Sequence, residues 1–309
     1  MMRPKFDTAK KGKVIKMKVT MRNKQLEVSI HSYGAEICSI RELETNTEYM
    51  WQADPKFWKR HAPVLFPFVG SLKDKKYTYQ NQTYSMSQHG FARDMEFRIV
   101  EQKEDEVWFE LTSNEKTLIN YPFEFVLQIG YQLEERSVTV VYRVLNPANK
   151  KLLFSIGAHP AFQCNYDGED TFYLRVNHTK KLFAYYIDQQ LGVRLQQPEE
   201  VEFAYIDQEY AYLRLTRELF SKDALIIEHT DISEAALCYH DKTPFVNVSF
   251  DAPLFGIWSP ANTGAPFVCI EPWYGRCDAV DSCDDLTKKE YVKVLEGKEE
   301  FTCHYEFHF

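Results

Sequence analysis

The sequence predicts an all-β protein, a large sandwich of antiparallel β-sheets, and three observations support this class. Hydrophobic and polar residues alternate along many segments, helical patterns are few and short, and aromatic residues make up 15% of the 309 residues against only 12 glycines. Successive side chains of a strand point to opposite faces, so the alternation indicates strands with one face in a core and one in water. Antiparallel sheets give this pattern, whereas buried parallel strands form continuous apolar runs.

The predicted strands follow one another along the whole chain. The clearest alternating segments are residues 26–30, 107–112, 125–131, 138–144, 246–250 and 301–309. Turn-forming residues interrupt the pattern at 23–24, 81–82, 134–136, 146–147 and 251–253. Short helical patterns occur at 54–59, 217–222 and 286–291. No internal repeat and no change of composition divides the chain after residue 24, so we predict a single sandwich domain over residues 25–309.

Charge is distributed unevenly between the N-terminus and the rest of the chain. Residues 1–24 contain nine lysines or arginines and one acid, although the whole chain has a net charge of −8. We interpret this segment as a basic N-terminal extension that is solvated and leads into the first strand. The remaining body is acidic, which argues against nucleic acid as a partner because phosphate contacts need clustered Lys and Arg. No segment approaches the roughly 18 uncharged apolar residues that would span a membrane.

The cysteines bear on the compartment of the protein. There are seven of them, an odd number, and none forms a C-x-x-C motif. This pattern favours reduced thiols over a disulfide framework or a zinc knuckle. The N-terminus lacks the apolar region of a secretory signal and has the wrong composition for a transit peptide. We therefore expect a cytoplasmic protein.

Three short segments combine ionisable side chains with glycine or proline at the ends of predicted strands. They are Q-H-G-F-A-R at 88–93, S-I-G-A-H-P-A-F at 155–162 and C-I-E-P-W-Y-G at 269–275. A single histidine or glutamate in such a place is more often structural than catalytic. The three segments together, each with aromatic neighbours, favour a site built from His89, His159 and Glu271.

These segments and four others in the same chain resemble the aldose 1-epimerase (mutarotase) family. The others are G-A-E-I at 34–37, A-P-V-L-F-P-F-V-G at 62–70, L-T-R-E-L-F at 215–220 and G-I-W-S-P at 256–260. The resemblance runs from about residue 25 to the end of the sequence and is strongest for an uncharacterised branch encoded near lactose and tagatose genes in bacteria. It implies the galactose mutarotase-like β-supersandwich fold, in agreement with the alternation.

The activity implied by this resemblance is the interconversion of the α and β anomers of an aldose. A base removes the proton of the C1 hydroxyl and an acid protonates the ring oxygen, after which the open chain rotates and closes again. By resemblance, Glu271 is the general base, His159 is the general acid, and His89 hydrogen-bonds the ring oxygen or a neighbouring hydroxyl. Each positioned proton transfer typically contributes about 10²- to 10⁴-fold to the rate. The reaction requires no cofactor and no metal.

Further residues are expected to bind the substrate. By resemblance, Asp223 matches an acidic residue that accepts hydrogen bonds from a pair of sugar hydroxyls. The alternative is a structural aspartate that caps a helix or strand. Arg60 and Arg93 match arginines that bind the phosphate of hexose 6-phosphate in a related branch, although a guanidinium equally suits a structural carboxylate. Trp258 and Phe91 either stack on the sugar ring or belong to the core.

The chain also departs from the family pattern near the predicted site. The Asn-Arg pair and the His-Gly-Gly of galactose mutarotases are absent. Ser71 stands where related proteins of the branch usually carry arginine. This difference removes a cation from the site region, and Lys73 is the candidate replacement.

The same residues allow three alternatives to an epimerase of free sugars. The first is a hexose-6-phosphate 1-epimerase that uses the two arginines. The second is a metal-dependent enzyme in which His89, His159 and Glu271 form a facial triad for iron, although no local metal motif such as H-x-H supports it. The third is a non-catalytic sugar-binding protein on the same scaffold. The expected partner of an epimerase is a small-molecule sugar or sugar phosphate, with no nucleic acid and no membrane.

Overall fold

The first strand of the protein begins earlier than the charge pattern suggests. A computed structural model describes residues 17–168, 172–228 and 230–309. Strand β1 (Lys18–Arg22) lies inside the segment interpreted as a basic extension and pairs with β2 (Leu26–His31). Val19 and Met21 of β1 are buried, so β1 is part of the folded sheet. The rest of the predicted extension, residues 1–16, lies outside the described residues.

The described part of the chain contains 25 strands of two to nine residues. The others are, in order, β3 (Glu36–Glu42), β4 (Lys76–Tyr79), β5 (Gln82–Ser85), β6 (Arg98–Gln102), β7 (Glu106–Thr112), β8 (Val126–Glu134), β9 (Ser137–Leu145), β10 (Leu152–Phe154), β11 (Ala161–Gln163), β12 (Tyr173–Asn177), β13 (Leu182–Ala184), β14 (Ile187–Asp188), β15 (Val193–Arg194), β16 (Glu199–Val201), β17 (Tyr205–Ile206), β18 (Tyr210–Arg214), β19 (Leu225–Glu228), β20 (Glu234–Cys238), β21 (Pro244–Phe250), β22 (Leu254–Trp258), β23 (Phe267–Trp273), β24 (Lys293–Leu295) and β25 (Glu300–His308). The helices of the same residues are α1 (Glu115–Asn120) and three short 3₁₀ helices at Lys73–Lys75, Ala92–Asp94 and Leu286–Lys288.

One very large sheet dominates the architecture. Its ten strands have the order β17-β18-β12-β20-β21-β25-β9-β8-β7-β6. A four-stranded sheet has the order β11-β23-β22-β19, and β1, β2 and β3 form a three-stranded sheet. Every pair among these strands is antiparallel. The all-β, antiparallel class predicted from the alternation is therefore confirmed.

Side-chain burial follows the period of two that the sequence shows. In β9 the side chains of Val138, Val140, Tyr142 and Val144 are buried, and the residues between them are partly exposed. Burying one such aliphatic side chain is worth about 1.5–3 kcal/mol. A slip of one residue would turn all four to the other face, so burial fixes the register. The six alternating segments of the sequence correspond to β2, β7, β8, β9, β21 and β25.

Two of the three predicted helices are wrong. Residues 54–59 form a single turn, because the Trp58 carbonyl accepts a hydrogen bond from the Trp51 indole at 2.8 Å instead of continuing a helix. Residues 217–222 also form turns, which end where Asp223 adopts a left-handed backbone conformation with φ of 72°. The third pattern, at 286–291, yields only the short 3₁₀ helix at its start.

Helix α1 was not predicted, although its N-terminus has a recognisable signal. The Asn114 side chain accepts hydrogen bonds from the backbone N–H groups of Lys116 and Thr117. The Thr117 hydroxyl in turn accepts from the Asn114 backbone N–H at 2.9 Å, which completes a capping box. The helix is only six residues long, too short for a clear helical period.

The four-stranded sheet positions most of the candidate site. Strand β23, buried along its whole length, carries Glu271 and lies between β11 and β22. His159 lies two residues before β11, Trp258 ends β22, and Asp223 lies two residues before β19. Antiparallel pairing therefore collects residues from distant parts of the sequence in one region. No helix of the described residues is long and apolar enough to cross a membrane.

Candidate active site

Seven of the eight predicted site residues line one cleft. The cleft has a volume of about 730 Å³. The seven residues are Arg60, His89, Arg93, His159, Asp223, Trp258 and Glu271. The structure thus brings together segments that are separated by up to about two hundred residues in the sequence.

Glu271 and His159 form a buried pair in this cleft. Nε2 of His159 lies 3.4 Å from Oε2 of Glu271, and the two side chains are only 8% and 1% exposed, respectively. Oε2 of Glu271 has no hydrogen-bond partner among the described residues. A buried, unpaired acceptor is costly in a folded protein, so this oxygen is well suited to receive a ligand hydroxyl.

Burial acts on the protonation of both members of the pair. It raises the pKa of the Glu271 carboxyl well above its usual value, and the negative charge of Asp223 adds to the effect. Burial also lowers the pKa of His159 to about 3, with a further contribution from the positive charge of Arg93. Burial therefore favours the neutral form of both groups in the free protein, in which the exchangeable proton of the pair lies on Glu271. Moving that proton from Glu271 to His159 would give a carboxylate and an imidazolium, so the neutral pair and the ion pair hold the same number of protons.

His89 presents a hydrogen-bond donor rather than a charge to the cleft. Its Nδ1 accepts a hydrogen bond from the Gly70 backbone N–H at 3.0 Å, so the proton of the neutral ring is on Nε2. Burial lowers the pKa of His89 well below its usual value, and the neighbouring His159 contributes to this lowering. Gly70 is required at this point, because a Cβ there would lie 2.4 Å from the Cβ of Cys277.

Two tryptophans enclose the buried pair, and the sequence analysis identified only one of them. The ring of Trp58 stacks on the imidazole of His159 with centroids 4.8 Å apart. The Trp258 ring meets the same imidazole edge to face at 5.3 Å. Trp58 lies in the segment predicted as a helix, and nothing in its local sequence indicates a site. Phe91 instead packs against Phe66 and other core aromatics and does not line the cleft, so its core interpretation is the correct one.

Asp223 combines the two roles that the sequence left open. Its Oδ1 accepts a hydrogen bond from the Trp258 indole at 2.8 Å and another from the Ala224 backbone N–H at 2.8 Å. The second bond caps the start of β19. The residue also lines the cleft, where it holds the Trp258 ring in place.

Cationic side chains line another part of the cleft. Nη2 of Arg60 lies 2.8 Å from Oδ1 of Asp94, and Nη2 of Arg93 donates to the Gln88 carbonyl at 2.7 Å. Lys59 and Lys75, which the sequence analysis did not select, line the same cleft. Burial, followed by the charge of Arg60, lowers the pKa of Arg93 to about 10.

Lys73, the candidate replacement for the missing arginine, does not line the cleft. Its Nζ donates to the Val280 carbonyl at 2.8 Å, and its backbone N–H donates to the Asp278 carboxylate at 2.9 Å. These bonds direct the side chain away from the space beside Ser71. Ser71 itself lines the cleft, and the lysine that accompanies it there is Lys75.

The turn between β14 and β15 forms a further wall of the cleft. Gln189, Gln190 and Leu191 line the cleft, together with Ile187 of the preceding strand. The Asp188 side chain accepts hydrogen bonds from the backbone N–H groups of two of these residues, which fixes the turn. Sequence reasoning missed this wall because polar residues in a turn are ordinary.

The three-residue iron site predicted as an alternative is not the group that the structure assembles. Among the described residues, the cluster with metal-ligand atoms close together consists of His159, Cys269 and Glu271, whose atoms lie within 4.8 Å of one another. His89 is outside this group, and its Nδ1 is occupied by Gly70. All seven cysteines are free thiols, as predicted, and Cys269 is fully buried.

The fold and the cleft define a class of protein, the galactose mutarotase-like all-β sandwiches. A galactose mutarotase-related enzyme from Lactobacillus acidophilus superimposes with a TM-score of 0.85 at 32% identity, over 94% of this chain and 97% of that one. A galactose mutarotase-like protein from Lactobacillus casei gives a TM-score of 0.88 at 29% identity, over 94% and 99% of the two chains. The predicted fold class is confirmed.

The family of the chain follows from its sequence relatives. The family model described as aldose 1-epimerase matches residues 17–282. The chain is 31% identical over 290 residues to the chromosomal LacX protein of Lactococcus lactis. The aligned region covers 90% of this chain and 95% of LacX. The plasmid-encoded LacX protein of the same organism is similar to the same degree. The chain belongs to the aldose 1-epimerase family.

Proposed function

We propose that this protein is an aldose 1-epimerase that interconverts the α and β anomers of a sugar through Glu271 and His159. The observation that carries the proposal is the buried pair, whose facing atoms lie 3.4 Å apart in a cleft of about 730 Å³. Family membership supports a reaction on a sugar. A carboxyl group and an imidazole suffice as base and acid for opening and closing a hemiacetal ring.

The proposed mechanism moves one proton in each direction. In the complex with the closed ring, hydroxyls of the sugar donate hydrogen bonds to Oε2 of Glu271 and stabilise the carboxylate, while His159 carries the proton. The carboxylate takes the proton of the C1 hydroxyl as the imidazolium protonates the ring oxygen, and the C1–ring oxygen bond breaks. The open-chain aldehyde rotates about C1–C2. Glu271 then returns its proton to the carbonyl oxygen as the ring hydroxyl attacks C1 and gives its proton to His159.

The other residues of the cleft hold the sugar for this exchange. The Nε2–H of His89 donates to the ring oxygen or a neighbouring hydroxyl, which agrees with the neutral state that burial imposes on its ring. Asp223 accepts hydrogen bonds from sugar hydroxyls with the oxygen that the Trp258 indole leaves free. Trp258 and Trp58 supply apolar walls. We also propose a cytoplasmic location, which the seven unpaired cysteines favour.

A second candidate substrate is a phosphorylated hexose. The observation that favours it is the set of four cations that line the cleft, Lys59, Arg60, Lys75 and Arg93, of which the two arginines lie close to Asp94. Guanidinium groups bind phosphate through two parallel hydrogen bonds. In this version the buried pair performs the same chemistry, and the cations hold the phosphate.

Exchange NMR on a panel of free and phosphorylated aldoses tests the proposal. Wild-type protein should accelerate anomer exchange of at least one sugar, and Glu271→Gln should slow that exchange by about 10²- to 10⁴-fold. Glu300→Gln, an exposed glutamate on β25, is the matched control and should retain the wild-type rate.

Two outcomes would contradict the proposal. Full activity in Glu271→Gln would exclude this carboxyl as the base. Sugar binding can be detected as a change in tryptophan fluorescence. Binding of a sugar without any acceleration of its anomer exchange would favour a non-catalytic sugar-binding protein instead.

A further inference from the structure

We propose that His159, Cys269 and Glu271 form a binding site for a soft divalent cation such as Zn²⁺, and that the bound metal inhibits the protein. The ligand atoms of these three buried side chains all lie within 4.8 Å of one another. An imidazole nitrogen, a thiolate sulfur and a carboxylate oxygen are the three ligand types that zinc takes in proteins. The thiolate distinguishes such a site from one for magnesium or calcium, which prefer oxygen ligands.

The spacing of the ligand atoms suits tetrahedral coordination. Bonds of about 2.0–2.1 Å from zinc to nitrogen and oxygen place those two atoms about 3.3 Å apart. The observed distance between Nε2 of His159 and Oε2 of Glu271 is 3.4 Å. Cys269 precedes Glu271 by two residues on β23, so both side chains leave the same face of the strand. A small shift of the sulfur toward the pair completes the set of three.

A second, independent observation at the site points to a ligand. Oε2 of Glu271 is buried and has no hydrogen-bond partner in the described part of the chain. A cation would supply the missing partner. His159 and Glu271 line the cleft, whereas Cys269 lies beneath them and does not. The fourth position of a bound metal therefore opens into the cleft, as in zinc sites with three protein ligands and one exchangeable ligand.

The inhibitory effect rests on the proposed function. A metal at this site occupies the nitrogen of His159 and the oxygen of Glu271 that exchange protons with the sugar. Metal and sugar therefore compete for the same two groups. The role of Cys269 in this competition is to supply affinity for soft cations, because the thiol takes no part in the epimerisation itself.

Titration of the metal-free protein with Co²⁺ and Cd²⁺ tests the site directly. A thiolate ligand gives bound Co²⁺ a charge-transfer absorption band in the near ultraviolet, which oxygen and nitrogen ligands alone do not give. We expect this band in the wild type and its absence in Cys269→Ser. The same variant should bind Cd²⁺ at least about tenfold more weakly than the wild type does. Cys283→Ser, which removes the exposed cysteine, is the matched control and should keep both properties. His159→Gln should weaken Cd²⁺ binding as well and remains informative if Cys269→Ser fails to fold.

The rate of anomer exchange tests the inhibitory effect separately. Zn²⁺ should slow exchange by more than about tenfold in the wild type and by much less in Cys269→Ser, each compared with its own metal-free rate. Absence of the Co²⁺ band in the wild type, or its persistence in Cys269→Ser, would overturn the site. Metal binding that leaves the exchange rate unchanged would overturn the inhibition. If the band forms but metal-free protein exchanges no anomers, the proposed function fails and the metal site stands.

Discussion

The floor and the rim of the cleft differ in how firmly the structure holds them. We define the floor as His89, His159 and Glu271, and the rim as Lys59, Arg60, Lys75 and the turn at 189–192. Glu271 is 1% exposed and lies on a strand paired on both sides, whereas Leu191 of the rim is 49% exposed. Removing water from the floor shifts its pKa values, and the rim stays in contact with solvent. Under the proposed function, the fold fixes the proton-transfer groups and leaves substrate selection to side chains that remain in contact with solvent.

The largest effect is expected from the floor. Changing His159 to Gln should lower kcat by about 10²- to 10⁴-fold for every sugar that the protein accepts, because the variant lacks the proposed proton donor to the ring oxygen. KM should change much less. Polarimetry of freshly dissolved sugars measures both constants. The exposed His240→Gln is the matched control, and similar losses in both variants would show that His159 has no special role.

A second change tests whether the packing of the floor is as rigid as its burial suggests. Gly256 lies opposite Glu271 on β22, and a Cβ there would lie 2.8 Å from the Trp273 ring. Gly256→Ala should therefore lower the free energy of unfolding by about 1–3 kcal/mol, since the new methyl group would displace the Trp273 ring, whose indole N–H donates to the Ala158 carbonyl at 3.2 Å. Chemical denaturation measures this difference. An unchanged midpoint would mean that the Trp273 ring moves freely and that the floor is less rigid than proposed.

The same contrast explains what the sequence could and could not predict. Regular alternation indicated the strands of the ten-stranded sheet, and Glu271 and His159 were recognised because each belongs to an ordered run of family motifs. Trp58 and the turn at 189–192 were missed, because a loop is positioned by contacts with residues far away in the sequence, such as the stacking of Trp58 on His159. Lys73 was selected as a replacement for the cation missing at Ser71, and its hydrogen bonds to Asp278 and Val280 could not be inferred from the local sequence.

A rim substitution should affect one substrate class and leave the other unchanged. If the cations bind phosphate, Arg60→Ala should raise KM for hexose 6-phosphates by about tenfold, because one hydrogen bond to a charged group is lost. KM for free sugars should not change. Kinetics on matched pairs of free and phosphorylated sugars measure this split. The control is Arg98→Ala, an exposed arginine paired with Glu110 on the large sheet. Equal effects of Arg60→Ala on both substrates would remove the case for a phosphate site.

The smallest effect is expected at the most exposed point of the rim. Leu191 packs little of its surface, so Leu191→Ala should change the free energy of unfolding by no more than about 0.5 kcal/mol. Its side chain nevertheless faces the cleft, and truncation should change KM by about two- to fivefold while kcat stays constant, because at most one or two methylene groups touch the sugar. Denaturation and polarimetry on the same preparation measure both quantities. A fall in kcat comparable with that of His159→Gln would mean that the turn orders the proton-transfer groups, and the division between a catalytic floor and a selective rim would then be wrong.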